Sequence, residues 1–196
     1  GETQEKWELE TNAKLPPKPN EEGLVAVLPF DDSLTVTSSL AAAQGRIVDA
    51  GKPAFADGRL SKALKLDGKG YADFGSLVKF ERTNAFSYGA WVKLDGDGAV
   101  LSKIEKSPGY RGFDLLAAEE HFQVHLINTW PDNALKVRTK DKVPKNQWLH
   151  VLATYDGSGK ASGVKLYVNG RVRDLEVEND RLTGLIANDE PVRIGT

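Results

Sequence analysis

At 196 residues, 40% of them apolar and including 4 Trp, 5 Tyr and 7 Phe, the chain has the length and the ring content to fold as one all-β domain, and it falls outside the disordered class. Net charge is −2 with no basic stripe, which argues against duplex nucleic acid as a partner. The absence of cysteine excludes disulfides, thiolate nucleophiles and zinc thiolate sites, and no apolar run is long enough to span a bilayer.

Residues 1–22 are polar, with Pro16, Pro17 and Pro19 close together, a composition that favours an extended linker or tail over helix or sheet interior. Trp7 and Leu9 are its apolar exceptions; Trp7 is expected to lie on the domain surface or against a neighbouring domain. No signal peptide is legible. The opening Gly1 and the lack of any Met read as marks of processing, so targeting is not to be judged from this chain.

The domain is expected over residues 23–196. Leu24 to Phe30 has strand character, and Pro29 within it points to an edge or a bulge. Residues 33–62 read as irregular, with a short extended piece at Arg46 to Val48 and a helical turn over Ser38 to Gln44. Short strands follow at 63–66 and 71–74. From Phe86 to Leu94, Phe86, Tyr88, Ala90, Val92 and Leu94 alternate with Ser87, Gly89, Trp91 and Lys93, the period of a strand with one face on a core. Further strands are expected at 100–104, 112–116, 122–127, 147–155 and 164–168. Asn169-Gly170 has the composition of a tight hairpin turn, and a return strand is expected over Arg171 to Val177. The last piece is 191–195. Many short strands, many turns and no long amphipathic helix predict an antiparallel two-sheet β-sandwich.

Four stretches carry a resemblance: 55–75 (FADGRLSKALKLDGKGYADFG), 86–105 (FSYGAWVKLDGDGAVLSKIE), 147–171 (QWLHVLATYDGSGKASGVKLYVNGR) and 191–196 (PVRIGT). They resemble the bacterial laminin-G-like modules of the concanavalin A-like lectin and glucanase jelly rolls. Ser61 stands where the family commonly has glycine. The wording is also similar to modules within large exported planctomycete proteins. The resemblance implies a jelly roll and a secreted, periplasmic or cell-surface setting. Its members continue past the Arg-Ile-Gly strand into a further strand of the sandwich, which is not visible after Thr196. An open position is therefore expected beside residues 191–195, to be filled by a neighbouring domain or fragment.

Trp148 and His150 share the strand face opposite Leu149 and Val151, and a packing role is expected for the pair. His121 and His125 lie on one face but far apart, which rules out a histidine zinc site between them. The alternating acids Asp174, Glu176 and Glu178, beside Arg171 and Arg173, read as a charged solvent face. They are the only candidates for the carboxylate pair that glycoside hydrolysis needs. The family often binds calcium through loop oxygens, and Asp31 and Asp32 are the best candidate ligands. Tyr110 and Trp130 sit in expected loops. There they either cover the sandwich edge or offer ring faces to a sugar, with Arg111, Asn128, Asp132 and Asn133 supplying polar contacts. The reading that results is a non-catalytic binding module for an extracytoplasmic glycan or protein ligand. The alternatives are a structural spacer or interaction domain of a larger protein and, less supported, a glycoside hydrolase.

Overall fold

A computed structural model of the chain describes residues 21–40, 43–49 and 53–195. The Pro-rich segment, with Trp7 and Leu9, lies outside these residues, as does Thr196. Seventeen strands are found among the described residues, and every pairing between them is antiparallel.

The first six are short: β1 (Ala26–Val27), β2 (Thr35–Ser38), β3 (Ala43–Gln44), β4 (Arg46–Val48), β5 (Ala54–Asp57) and β6 (Lys62–Lys65). β1, β2 and β3 make a small sheet, and β5 pairs with β6. Pro29 falls outside β1, which ends at Val27 on the edge of its sheet. Of the expected helical turn over 38–44, residues 41 and 42 lie outside the described residues, while Ser38 ends β2 and Ala43 and Gln44 form β3. Here Thr35 and Val36 pair with Gln44 and Ala43, so strand pairing with β2 decides the conformation at Ala43 and Gln44.

The regular part comprises β7 (Tyr71–Asp73), β8 (Phe86–Lys93), β9 (Gly98–Ile104), β10 (Gly112–Ala118), β11 (His121–Thr129), β12 (Asn133–Thr139) and β13 (Trp148–Tyr155). It ends with β14 (Val164–Val168), β15 (Arg171–Val172), β16 (Leu175–Asp180) and β17 (Arg193–Ile194). An eight-stranded sheet runs β16-β12-β11-β10-β9-β17-β7-β4, and a four-stranded sheet runs β15-β14-β13-β8.

The two sheets pack face to face as a β-sandwich. Phe113, Leu115, Phe122, Val124, Leu126, Leu135 and Val137 come from the large sheet; Phe86, Leu149, Val151, Ala153, Leu166 and Val168 come from the small one. Each large side chain buried here contributes roughly 1.5–3 kcal/mol. Phe86 anchors the cluster, stacked on Phe80 at 4.5 Å and tilted against Phe113 at 5.1 Å. Tyr155 is buried with its hydroxyl satisfied: it donates to Arg82 O (2.5 Å) and accepts from Gly159 N–H (2.6 Å). A second core of Leu34, Val36, Ala72, Phe74, Leu77 and Val192 holds the early strands against β7 and β17.

Two further expectations are corrected. Asn169 and Gly170 both take positive φ, as a tight hairpin requires, but the return strand stops at Val172. Arg173 N–H makes the last bond to Leu166 O, Asp174 O accepts from Lys140 N–H, and β16 then pairs with β12 in the other sheet. Residues 191–195 have no open position beside them, since β17 pairs with β7 on one side and β9 on the other. Among the described residues the ends of the two large sheets, β16, β4, β15 and β8, are each open on one side, β8 being paired with β13 alone.

Candidate functional site

Residues at register partners share a sheet face. On the outer face of the eight-stranded sheet, Asp114 of β10 pairs with His125 of β11 and with Ser102 of β9, and Ser102 pairs with Arg193 of β17. A sheet face turned away from its core usually carries solvated side chains. Here Asp114 is 7% exposed and His125 9%. Both are buried polar groups and both are paired: the Asp114 carboxylate accepts from His125 Nδ1 at 2.8 Å and from His125 N–H at 3.3 Å. With Nδ1 engaged as donor, a neutral His125 keeps Nε2 as an acceptor. Below them Tyr88 reaches out of the core and donates its hydroxyl to Asp114 O at 2.8 Å. Burial, reinforced by the Asp114 charge, pushes the Tyr88 phenol well above its ordinary value, so it stays a donor.

Two loops at the end of β9–β11 place aromatic rings beside this pair. Trp130 N–H donates to Gly109 O at 3.0 Å, tying the turn after β11 to the loop that carries Tyr110. Trp130 stands edge-on to the His125 ring with centroids 5.6 Å apart. Its peptide bond to Pro131 is cis, and Pro131 O accepts from Asn179 Nδ2 of β16. Tyr110 (46% exposed), Trp130 (37%), Ile104, Ile127, Asp114 and His125 line an open depression of about 400 Å³. It combines ring faces with a buried acid–imidazole pair, which suits a ligand with both apolar faces and hydroxyls.

The expected ligand residues divide. Tyr110 and Trp130 come together. Asn128 and Asn133 do not join them. Asn128 Nδ2 donates to Leu185 O (2.8 Å); Asn133 Nδ2 donates to Thr183 Oγ1, and its Oδ1 accepts from Thr183 N–H and Gly184 N–H. These amides clamp the 183–185 loop onto β11 and β12. Arg111 lies outside the lining, with its carbonyl accepting from Glu105 N–H and Asn188 Nδ2. Asp132 is exposed to solvent. Trp148 and His150 are half-buried on the outside of the small sheet, where His150 lies 5.3 Å from Trp91 on the neighbouring strand. Glu176 and Glu178 pair with Arg138 and Lys136 of β12, rather than with Arg171 and Arg173. The Lys136 hydrogen bond, chiefly, holds Glu178 below the ordinary carboxylate range.

Asp31, a candidate calcium ligand, accepts from Lys62 N–H at 3.1 Å. The Ser61 side chain, then that N–H, holds its carboxyl below the usual value. Asp32 takes φ 51° in the same turn. Among the described residues no group of three or more His, Asp or Glu gathers as a metal shell.

A family model described as the concanavalin A-like lectin/glucanases superfamily matches residues 66–196. Among solved structures, the chain is similar to the binding domain of botulinum neurotoxin serotype C1, with TM-score 0.63, 16% identity, 88% of this chain covered and 42% of that one. It is similar to the binding domain of Paraclostridial Mosquitocidal Protein 1, with TM-score 0.58, 15% identity and coverage of 84% and 44%. A third is domain 4 of a GH43 extracellular arabinanase from Geobacillus stearothermophilus in complex with arabinotriose, with TM-score 0.50, 21% identity and coverage of 87% and 91%. The chain spans less than half the length of the two toxin domains.

Proposed function

The chain belongs to the concanavalin A-like lectin/glucanases superfamily, and from that premise we propose that it is a binding module whose depression at Tyr110, Trp130, Asp114 and His125 takes a short saccharide. The observation that carries the reading is the meeting of two exposed rings with a buried Asp–His pair at one depression. Trp130 and Tyr110 would stack on the apolar faces of a sugar, and His125, fixed by Asp114, would bond a hydroxyl through Nε2. The arabinanase domain, matched over 91% of its length and seen with arabinotriose, supports a neutral oligosaccharide as the ligand to try first. A secreted, periplasmic or cell-surface setting goes with this reading. Asp114 is the sole acid among the lining residues and is engaged by His125, so this depression does not supply the facing carboxylates of a hydrolase.

Isothermal titration with arabinotriose and related neutral oligosaccharides tests the proposal. Saturable binding should weaken roughly tenfold or more in Trp130→Ala, a hot-spot-sized loss. Unchanged affinity in that variant would remove the site. Calcium at Asp31 and Asp32 is carried as a separate proposal: saturable heat lost in Asp31→Asn would support it, and no heat in the wild type would end it.

The open side of β8 favours a second reading, an interaction domain within a larger protein, in which a neighbouring domain or fragment adds a strand along β8. Hydrogen exchange tests it. Protection of β8 amides that rises when the chain is placed in its multidomain setting supports the reading; protection that stays the same opposes it.

A further inference from the structure

The outer face of the four-stranded sheet is built unlike an ordinary solvent face. Register places Trp91 of β8 beside His150 of β13, Lys93 beside Trp148, Leu152 beside Tyr167 of β14, and Thr154 beside Lys165. Three large rings thus spread over three neighbouring strands, with Trp91 at 43% exposure. Ser87 and Gly89 complete the β8 positions on this face, and none of the positions from β8, β13 or β14 carries a carboxylate. The charges there are cationic: Lys93, Lys165 and Arg59, whose guanidinium lies 5.4 Å from the Trp91 ring centroid. Asp156, in the turn after β13, is near enough to feel the charge of Lys165, and its carboxylate accepts from Ser158 N–H at 2.9 Å.

From this arrangement we infer that the outer face of the four-stranded sheet is a second binding surface, one that takes an acidic polysaccharide. Ring faces give platforms for the apolar sides of sugar rings, while Lys93, Lys165 and Arg59 meet carboxylates along the chain. Stacking on Trp91 holds the Arg59 fork by the platform, and a guanidinium matches a carboxylate with two parallel donors. An acidic peptide has the right charge but gains less here. Extended peptides draw their affinity from the backbone of an open sheet edge, which this face offers only at its margins, β8 and β15; the backbone of β13 and β14, which carries Trp148 and Lys165, is already paired on both sides. This surface shares no residue with the depression on the other sheet, so it stands or falls independently of that site.

The test uses the full chain and short oligogalacturonates, with uncharged galactan oligomers and polyglutamate as the other arms, read by the indole N–H resonances in NMR. Oligogalacturonate should shift Trp91 and Trp148, leave Trp130 in place, and lose affinity as salt rises. Lys93→Ser and Lys165→Ser, both exposed, should each weaken it by about tenfold, the loss of one charge-assisted contact, and Lys93→Arg should restore it. Trp130→Ala should bind oligogalacturonate like the wild type, which separates this surface from the depression. No shift at Trp91 or Trp148, equal binding of the uncharged oligomers, or polyglutamate binding as tightly at the same resonances would each overturn the inference.

Discussion

Asp114 and His125 meet because two residues, Glu119 and Glu120, turn the β10–β11 hairpin with φ of 54° and 66°. A two-residue turn fixes the register of everything behind it, so placing that turn would have given the pair. Two glutamates are an unusual choice for a left-handed turn, which wants Gly or Asn, and the chemistry of the turn did not announce itself. His125 was therefore weighed only against His121 on its own strand. Tyr110 and Trp130 were legible because a ring beside Pro and Gly in a loop has little to bury it. Asn128 and Asn133 were not, since nothing local says whether an amide serves a ligand or a loop. Asp114→Ala should cost about 1–3 kcal/mol by leaving His125 Nδ1 buried without its acceptor. Asp114→Asn keeps an oxygen there and should cost less; urea unfolding distinguishes the two. Glycine provides a second contrast at this scale. Gly170 (φ 75°) has open space around an added Cβ, so Gly170→Ala should cost only the backbone term, about 1 kcal/mol. Gly112 (φ 137°) would put its Cβ 1.9 Å from Lys103 O, and Gly112→Ala should cost about 2–4 kcal/mol by thermal or denaturant unfolding.

At the scale of elements, the strands read most surely were those with long alternation, β8, β13 and β14, because one face of each lies on the main core. β12 was missed although Leu135 and Val137 alternate with Lys136 and Arg138, since it follows directly on a Trp-Pro-Asp turn that reads as a continuing loop. Its three apolar residues, Ala134, Leu135 and Val137, are fully buried. Leu135→Ala should destabilise the domain by about 2–5 kcal/mol, the range for a core cavity, against a loss near zero if this segment were a surface loop. The departure of the chain at Arg173–Asp174 from one sheet to the other was also hidden. Alternation continues through β16, and only the hydrogen-bond partners, Leu166 before and Lys140 after, reveal the change. The early strands β2, β3 and β5 are two to four residues long, too short for any period to register, and they hold together through the second core rather than by their own pattern.

For the whole molecule, fold class followed from strand count and the Gln147–Gly170 wording, while the candidate site had to wait for the pairing of β9, β10 and β11 to bring its residues together. Charge pairing acts at this scale. Asp31, Asp57, Asp73, Glu120, Asp156, Glu178 and Asp189 are all held below their ordinary values. For most of them the chief cause is a side-chain hydrogen bond, as from Lys62 to Asp57 and from Lys79 to Asp189. At Asp73 burial pushes upward, but the Gly75 N–H and Arg46 outweigh it. A carboxyl lowered in the folded state stabilises above its unfolded value, here 3.8 for Asp and 4.5 for Glu, and that contribution fades as pH falls through the lowered values. Most of these groups are exposed and each adds little. Their common direction predicts a urea midpoint that is flat near neutrality and falls below about pH 4.5, with less of a fall in Asp73→Asn. A midpoint that rose on acidification would contradict the pairing.

The saccharide site proposed here is the depression between Tyr110 and Trp130. Of the three Trp among the described residues, Trp130 lines that depression, while Trp91 and Trp148 lie on the opposite sheet. The most direct measurement is the indole N–H spectrum during titration with arabinotriose. The Trp130 resonance should move and saturate while those of Trp91 and Trp148 stay in place. Saturable movement at Trp91 or Trp148 with Trp130 unmoved, or no movement at any indole with a panel of neutral oligosaccharides, would contradict it.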